Sequence, residues 1–187
     1  VKAFMSWRKS YFSKAALLFS LGLMPLHHAQ ALPVNANHLV SGILSYVSWG
    51  THLNQINFCV IDGPANFISS NIFSPTPQII QPPNVKFFNY TTEQLLKPIA
   101  SNPATYCQVF YFVQTSDTVQ QQIINHNPIK ILTISENNPE CSVGSSFCIY
   151  MAKNQYKFKV NLDSLKASQV RVNSKVLLLS QQQEEQE

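Results

Sequence analysis

Glycine is scarce in this chain: five among 187 residues, of which only Gly42, Gly50, Gly63 and Gly144 lie beyond residue 31. None of them falls in a G-x-G-x-x-G or Walker spacing, so loops that wrap phosphates with bare backbone are excluded. Histidine beyond residue 31 is limited to His38, His52 and His126, isolated from one another. No H-x-x-x-H or H-E-x-x-H pattern exists, and no C-x₂-C pair, so the common metal-site spacings are missing too. Charged residues make up only 12% of the chain. No apolar run approaches the roughly 20 residues a membrane-spanning helix needs; the longest, over 15–26, reaches about a dozen.

That short run has a specific setting. Lys2, Arg8, Lys9 and Lys14 precede it, and His27-His28-Ala29-Gln30-Ala31 follows, ending in the small-x-small pattern that a signal peptidase cuts. A positive start, a short apolar middle and a small-residue end are the parts of a secretory signal, so residues 1–31 are expected to direct export and to be removed near Ala31. The four cations account for the formal charge of +4: beyond residue 31, nine Lys and Arg face nine Asp and Glu. A near-neutral remainder argues against a nucleic-acid groove, which needs a clustered positive face. Residues 32–180 suit one domain with its own core, and 181–187 read as a disordered polar tail.

All four cysteines, Cys59, Cys107, Cys141 and Cys148, lie beyond the signal. An even number in an oxidising compartment predicts two disulfides, with three connectivities open. Cys141 and Cys148 flank a short turn containing Ser and Gly, which favours pairing them and leaves Cys59 for Cys107.

Hydrophobic spacing gives the order of elements. Leu39, Ile43, Tyr46 and Val47 fall on one face of a helix over 35–49. Strands are expected at 56–61, 85–90, 106–113 and 129–134, each short, apolar and rich in β-branched or aromatic residues. Between them, short helices are expected over 65–73, over 92–100 with Leu95, Leu96 and Ile99 inward, and after Ser116 and Asp117 with Val119, Ile123 and Ile124 inward. Pro75, Pro77, Pro82 and Pro83 make 74–84 a loop. Strands alternating with helices imply parallel pairing. The ending differs: 147–152 and 156–162 flank the short polar loop Lys153-Asn154-Gln155, an antiparallel hairpin, after which Asn161 caps a short helix and 170–179 is again apolar. The expected fold is therefore an α/β domain with a mostly parallel sheet, helices on both faces, an antiparallel C-terminal hairpin and disulfide support.

Residues 146–163, beginning Ser146-Phe147-Cys148-Ile149-Tyr150, followed by 170–179, resemble the C-terminal signature of the YfiR-like family. Residues 38–49 with their aromatic-Trp end, 58–63, 107–112 and 129–135 resemble its opening helix, first strand, third strand and the strand before its glycine-rich turn. The blocks cover most of 35–180 in the right order. The resemblance implies a periplasmic, homodimeric repressor that binds the periplasmic domain of a YfiN-like diguanylate cyclase, lowering cyclic di-GMP and biofilm formation. It also implies sequestration by a YfiB-like outer-membrane lipoprotein, and the structural disulfides Cys59–Cys107 and Cys141–Cys148. The chain departs from the family pattern at Cys141-Ser142-Val143-Gly144-Ser145-Ser146, and in carrying Lys157, Lys159 and Lys166 where acidic and arginine residues are expected.

Rival readings are two. A small-molecule binding module would use the crevice at the strand ends near Asp62 and Thr115–Asp117; against this, Asp62-Gly63-Pro64 is ordinary turn chemistry. A thiol-disulfide oxidoreductase would use Cys141, but six residues separate it from Cys148 and redox catalysts favour C-x-x-C. Asp163 near a helix start suits a dipole-complementing charge. Asn89-Tyr90-Thr91 is a glycosylation sequon that matters only in a eukaryotic secretory route. Tyr46, Trp49, Tyr150, Tyr156 and Phe158 are split between core packing and a partner surface. No catalytic residue, cofactor or metal site is expected, no nucleic-acid partner is expected, and no partner-binding residue is assigned.

Overall fold

The computed structural model describes residues 35–50, 53–69, 84–98, 102–127 and 130–179. The expected signal over 1–31, the loop expected over 74–84 apart from Asn84, which opens a strand, and the tail over 181–187 lie outside them. Six strands form the main sheet: β2 (Gln55–Ile61), β3 (Asn84–Tyr90), β4 (Val109–Phe112), β5 (Leu132–Glu136), β6 (Phe147–Ala152) and β7 (Gln155–Val160). They are ordered β3-β2-β4-β5-β6-β7. Every neighbouring pair from β3 to β6 is parallel, and β6–β7 is the antiparallel hairpin, with Phe147 opposite Val160 and Tyr150 opposite Lys157. A separate two-stranded ribbon joins β1 (Val47–Ser48) to β8 (Arg171–Val172).

The central parallel strands β4 and β5 are buried along their whole length because both faces of the sheet are covered, whereas the edge strand β3 exposes Asn84, Lys86 and Asn89. On one face Ile56, Phe58, Val60, Val109, Tyr111, Leu132, Ile134, Phe147 and Ile149 pack under α1 (Ala36–Ser45), which contributes Leu39, Val40, Ile43 and Leu44. Phe58 is the hinge of this core, with its ring centroid 5.0 Å from Phe87 and 5.4 Å from Tyr111. On the other face Ile61, Phe110 and Phe112 meet Leu95 of α2 (Thr92–Leu95) and Ile123 of α3 (Asp117–His126). The helix that follows the hairpin, α4 (Leu162–Ser168), is capped by the Asn161 side chain, which accepts from the Ser164 amide. Among the described residues no helix is long and apolar enough to cross a membrane.

The elements differ from the sequence reading in several places. The first helix stops at Ser45, because Val47 and Ser48 are drawn into the ribbon with Val172 and Arg171. Residues 65–69 form no helix, and the rest of the helix expected over 65–73 is outside the described residues. Leu96 is 36% exposed rather than inward, since α2 is a single turn with only Leu95 buried. The strand expected over 106–113 is confined to Val109–Phe112, with Tyr106 closing a 3₁₀ turn (Pro103–Tyr106) ahead of it, and the strand expected over 129–134 runs instead over Leu132–Glu136.

Candidate functional site

An open α/β sheet presents its ligand-facing groups beyond the carboxyl ends of the strands, at the point where strand order reverses. Here the chain runs from β2 outward to β3 and then returns to β4 on the opposite side, so that point lies between β2 and β4. Asp62, the first residue past β2, has φ 61°, a left-handed conformation that Asp tolerates better than most. Its Oδ1 accepts from the Thr92 amide at 2.8 Å, and its Oδ2 accepts from the Thr115 hydroxyl at 3.0 Å and from the Thr92 hydroxyl. The structure thus brings together Asp62 and Thr115, as the crevice reading required. Both carboxylate oxygens, however, tie the ends of β2, β3 and β4 together. Asp62 is a clamp at the start of α2.

Beside this clamp a depression of about 450 Å³ is lined by Thr115, Ser116, Asp117, Glu136 and Asn138. Burial pushes the Asp117 carboxyl above its ordinary value. Asn138 donates to Asp117 Oδ1 at 2.8 Å and accepts from the Cys141 amide at 2.9 Å. Ser145 donates to Gln120 Oε1 at 2.8 Å. The loop between β5 and β6 is therefore stitched to the first turn of α3. Gly144 sits against that turn with φ 89°, and a Cβ there would meet Gln120 Oε1 at 2.8 Å and the Asp117 carbonyl at 3.3 Å. Here glycine is required both by conformation and by the close approach.

Glu136, which sequence reasoning passed over, ends β5 and is only 5% exposed. Its Oε1 accepts from the Tyr111 hydroxyl at 2.8 Å, the Phe67 amide at 2.8 Å and the Asn66 amide at 3.0 Å. Its Oε2 accepts from the Asn66 side-chain amide at 3.3 Å. Burial above all, and then the charge of Glu136, push the Tyr111 hydroxyl far above the usual tyrosine range. The signal that was available is an acid in register with the apolar Leu132 and Ile134 at the carboxyl end of a parallel strand. A second groove, of about 550 Å³, lies between α3 and α4 over Phe110, Ile124 and Ile131. Asp163 lies in its lining and occupies the first turn of α4, where an acid complements the helix dipole.

The cysteines pair as Cys59–Cys107 and Cys141–Cys148, the connectivity favoured from spacing. All four are buried, and among the described residues no cysteine is free. Exchange chemistry needs an accessible sulfur, so the buried bonds suit structural clips. No three His, Cys, Asp or Glu among the described residues are grouped to hold a metal. His126 bonds the Lys97 carbonyl at 2.8 Å and caps no reactive group, while His38 is exposed and His52 lies outside the described residues.

The hairpin bears the remaining candidates. Phe158 is buried in the first core, and Tyr46, Trp49 and Tyr156 pack against that core's edge. Only Tyr150 of the five aromatics lies on the opposite face of the hairpin, with the Lys159 ammonium 5.8 Å from its ring centroid and Lys157 across the pair. On the core side Met151 projects to solvent, 52% exposed, opposite Tyr156. Tyr150 and Met151 are of the residue types enriched at protein-binding surfaces, whereas lysine is depleted there, and the two lie on opposite faces of the hairpin. Compared with known families, the chain matches the one described as YfiR/HmsC-like over residues 35–181, a span that takes in every element above.

Proposed function

The chain belongs to the YfiR/HmsC-like family, regulators that act in the periplasm on cyclic di-GMP signalling, and on that premise we propose that it binds and represses a membrane-bound diguanylate cyclase. The observation that carries this reading is the family match itself, whose bounds, 35–181, take in the opening helix, both disulfides and the C-terminal hairpin. Residues 1–31 serve as the export signal in this reading, and 32–180 as a single regulatory domain acting as a homodimer. The mechanism is differential binding: a dimer that prefers the inactive arrangement of the cyclase's periplasmic domain shifts the population away from the active one. A YfiB-like outer-membrane lipoprotein releases the cyclase by competing for the same regulator.

The strand-end crevice gives the small-ligand reading little support. In the crevice, both oxygens of Asp62 and of Glu136 are already engaged by the chain's own donors. Cellular cyclic di-GMP is the deciding readout. Deleting the gene is expected to raise it, and restoring the wild-type gene to bring it back. An unchanged level under conditions where the protein is expressed overturns repression, as does oxidised protein that fails to bind the cyclase's periplasmic domain.

A further inference from the structure

Glu136 is a buried carboxylate with no Lys or Arg beside it among the described residues. Burying an ionised carboxylate without a cation is costly, and its survival here depends on the donors that surround it. Two of those donors are consecutive backbone amides, Asn66 and Phe67, in a segment with neither helix nor strand. A third is the Asn66 side chain and a fourth is the Tyr111 hydroxyl. Irregular backbone that enters a core must find acceptors for its amides. Here the acceptor comes from a strand about seventy residues later in the chain. Such a set of donors is a receptor for a carboxylate, and its ligand is supplied by the same chain.

The segment it holds is in contact with three other parts of the fold. Ile68 is buried in the first core. Ser69 and Asn37 exchange two hydrogen bonds, the Ser69 amide to Asn37 Oδ1 at 2.9 Å and Asn37 Nδ2 to the Ser69 hydroxyl at 3.1 Å, which joins the segment to α1. Phe67 lays its ring edge-on against Tyr156 of β7, centroids 4.9 Å apart. We propose that residues 65–69 form a carboxylate-receiving loop latched by Glu136, and that this latch positions Phe67 against the hairpin strand β7. Glu136 acts through Phe67 and is a positioning residue. The proposal does not depend on which partner the protein binds.

Glu136 also lines the solvent-facing depression at the strand ends, so a small carboxylate can reach the cradle once the side chain is removed. Glu136→Ala is therefore tested with sodium acetate as the probe. Acetate is expected to raise the melting temperature of the variant saturably and to return the Asn66 and Phe67 amide signals towards their wild-type positions. Sodium chloride at the same ionic strength is expected to do neither, and acetate is expected to leave the wild type unchanged. Glu136→Gln preserves side-chain size and one acceptor oxygen, so it provides a reading should the alanine variant fail to fold. In it, hydrogen exchange at the Asn66 and Phe67 amides is expected to rise about tenfold or more, the size set by losing a hydrogen bond to a charged acceptor. Exchange in β4 and β5 stays unchanged, and the Tyr156 ring signals shift while those of Phe158 do not. The latch is overturned by acetate that leaves the alanine variant's amides untouched, or by amides of 66 and 67 that exchange equally fast in wild type and Glu136→Gln. A uniform rise across the sheet, or an unmoved Tyr156 ring, overturns the positioning role.

Discussion

Ser135 lies fully buried in β5, and its hydroxyl finds no partner among the described residues. Its neighbours on the same face, Thr133 and Ser146, satisfy each other at 3.1 Å and leave it out. A buried hydroxyl without a partner loses its hydration for nothing, so Ser135→Ala is expected to leave the fold intact and stabilise it by about 1 kcal/mol. A drop of that size in urea unfolding would mean the hydroxyl has a partner after all. Tyr111 lies fully buried in β4. Buried beside the Glu136 carboxylate, it holds its proton far into the alkaline range, whereas a tyrosine in the unfolded chain ionises near pH 10, roughly its reference value. Above that pH the folded state binds more protons than the unfolded one, and stability falls as pH rises. Tyr111→Phe forfeits the bond to Glu136 and is expected to cost about 1–3 kcal/mol at neutral pH. Because the variant lacks the alkaline penalty, its deficit relative to wild type should shrink by about 1.4 kcal/mol per pH unit above pH 10. Parallel stability profiles between pH 8 and 11 would rule this out.

At the scale of elements, α1 is enclosed on more than one side. Leu39, Val40, Ile43 and Leu44 are buried in the sheet core, while a Cβ at Gly42 would approach Leu179 Cδ1 at 2.8 Å and Cδ2 at 3.3 Å. The C-terminal segment thus crosses α1 at its glycine, anchored upstream by the β1–β8 ribbon and by the Asn173 amide on the Tyr46 carbonyl at 2.9 Å. Gly42→Ala gains about 1 kcal/mol of helix propensity and displaces only the far end of a flexible Leu179, so it is expected to be near neutral. Gly42→Leu fills the crossing and should cost about 1–3 kcal/mol by overpacking, with faster proteolysis within 174–179. Equal stability and proteolysis for both variants would show that the segment does not rely on this contact. The same ribbon explains why the first helix ends before the apolar spacing does. Tyr46 and Val47 continue the helical period, but a partner strand more than a hundred residues away claims Val47. Residues 65–69 follow a similar logic, since Glu136 takes the amides that a helix would have used.

For the whole molecule, the two disulfides constrain very different lengths of chain. Cys59–Cys107 spans 48 residues and fastens β2 to the segment entering β4, whereas Cys141–Cys148 spans 7 and closes the loop docked on α3. Loop-closure entropy assigns about 4 kcal/mol to the long bridge and about 2.5 kcal/mol to the short one. The Cys59→Ser, Cys107→Ser double variant is therefore expected to lose more in urea unfolding than the Cys141→Ser, Cys148→Ser pair. The reverse order would show that native packing around the short loop outweighs chain entropy. Hydrophobic period and local turn residues alone were enough to place the strands along the chain, to imply the parallel sheet and to mark the terminal hairpin. Cysteine spacing favoured the pairing in the same way, and ordered blocks of residues carried the family resemblance. Which polar groups meet emerged with the folded chain. The Asp62 clamp, the Glu136 latch and the Gly42 crossing each join residues 30 to about 140 positions apart. Such encounters depend on how strands are ordered and how chain ends return, and no local pattern of residue types encodes them.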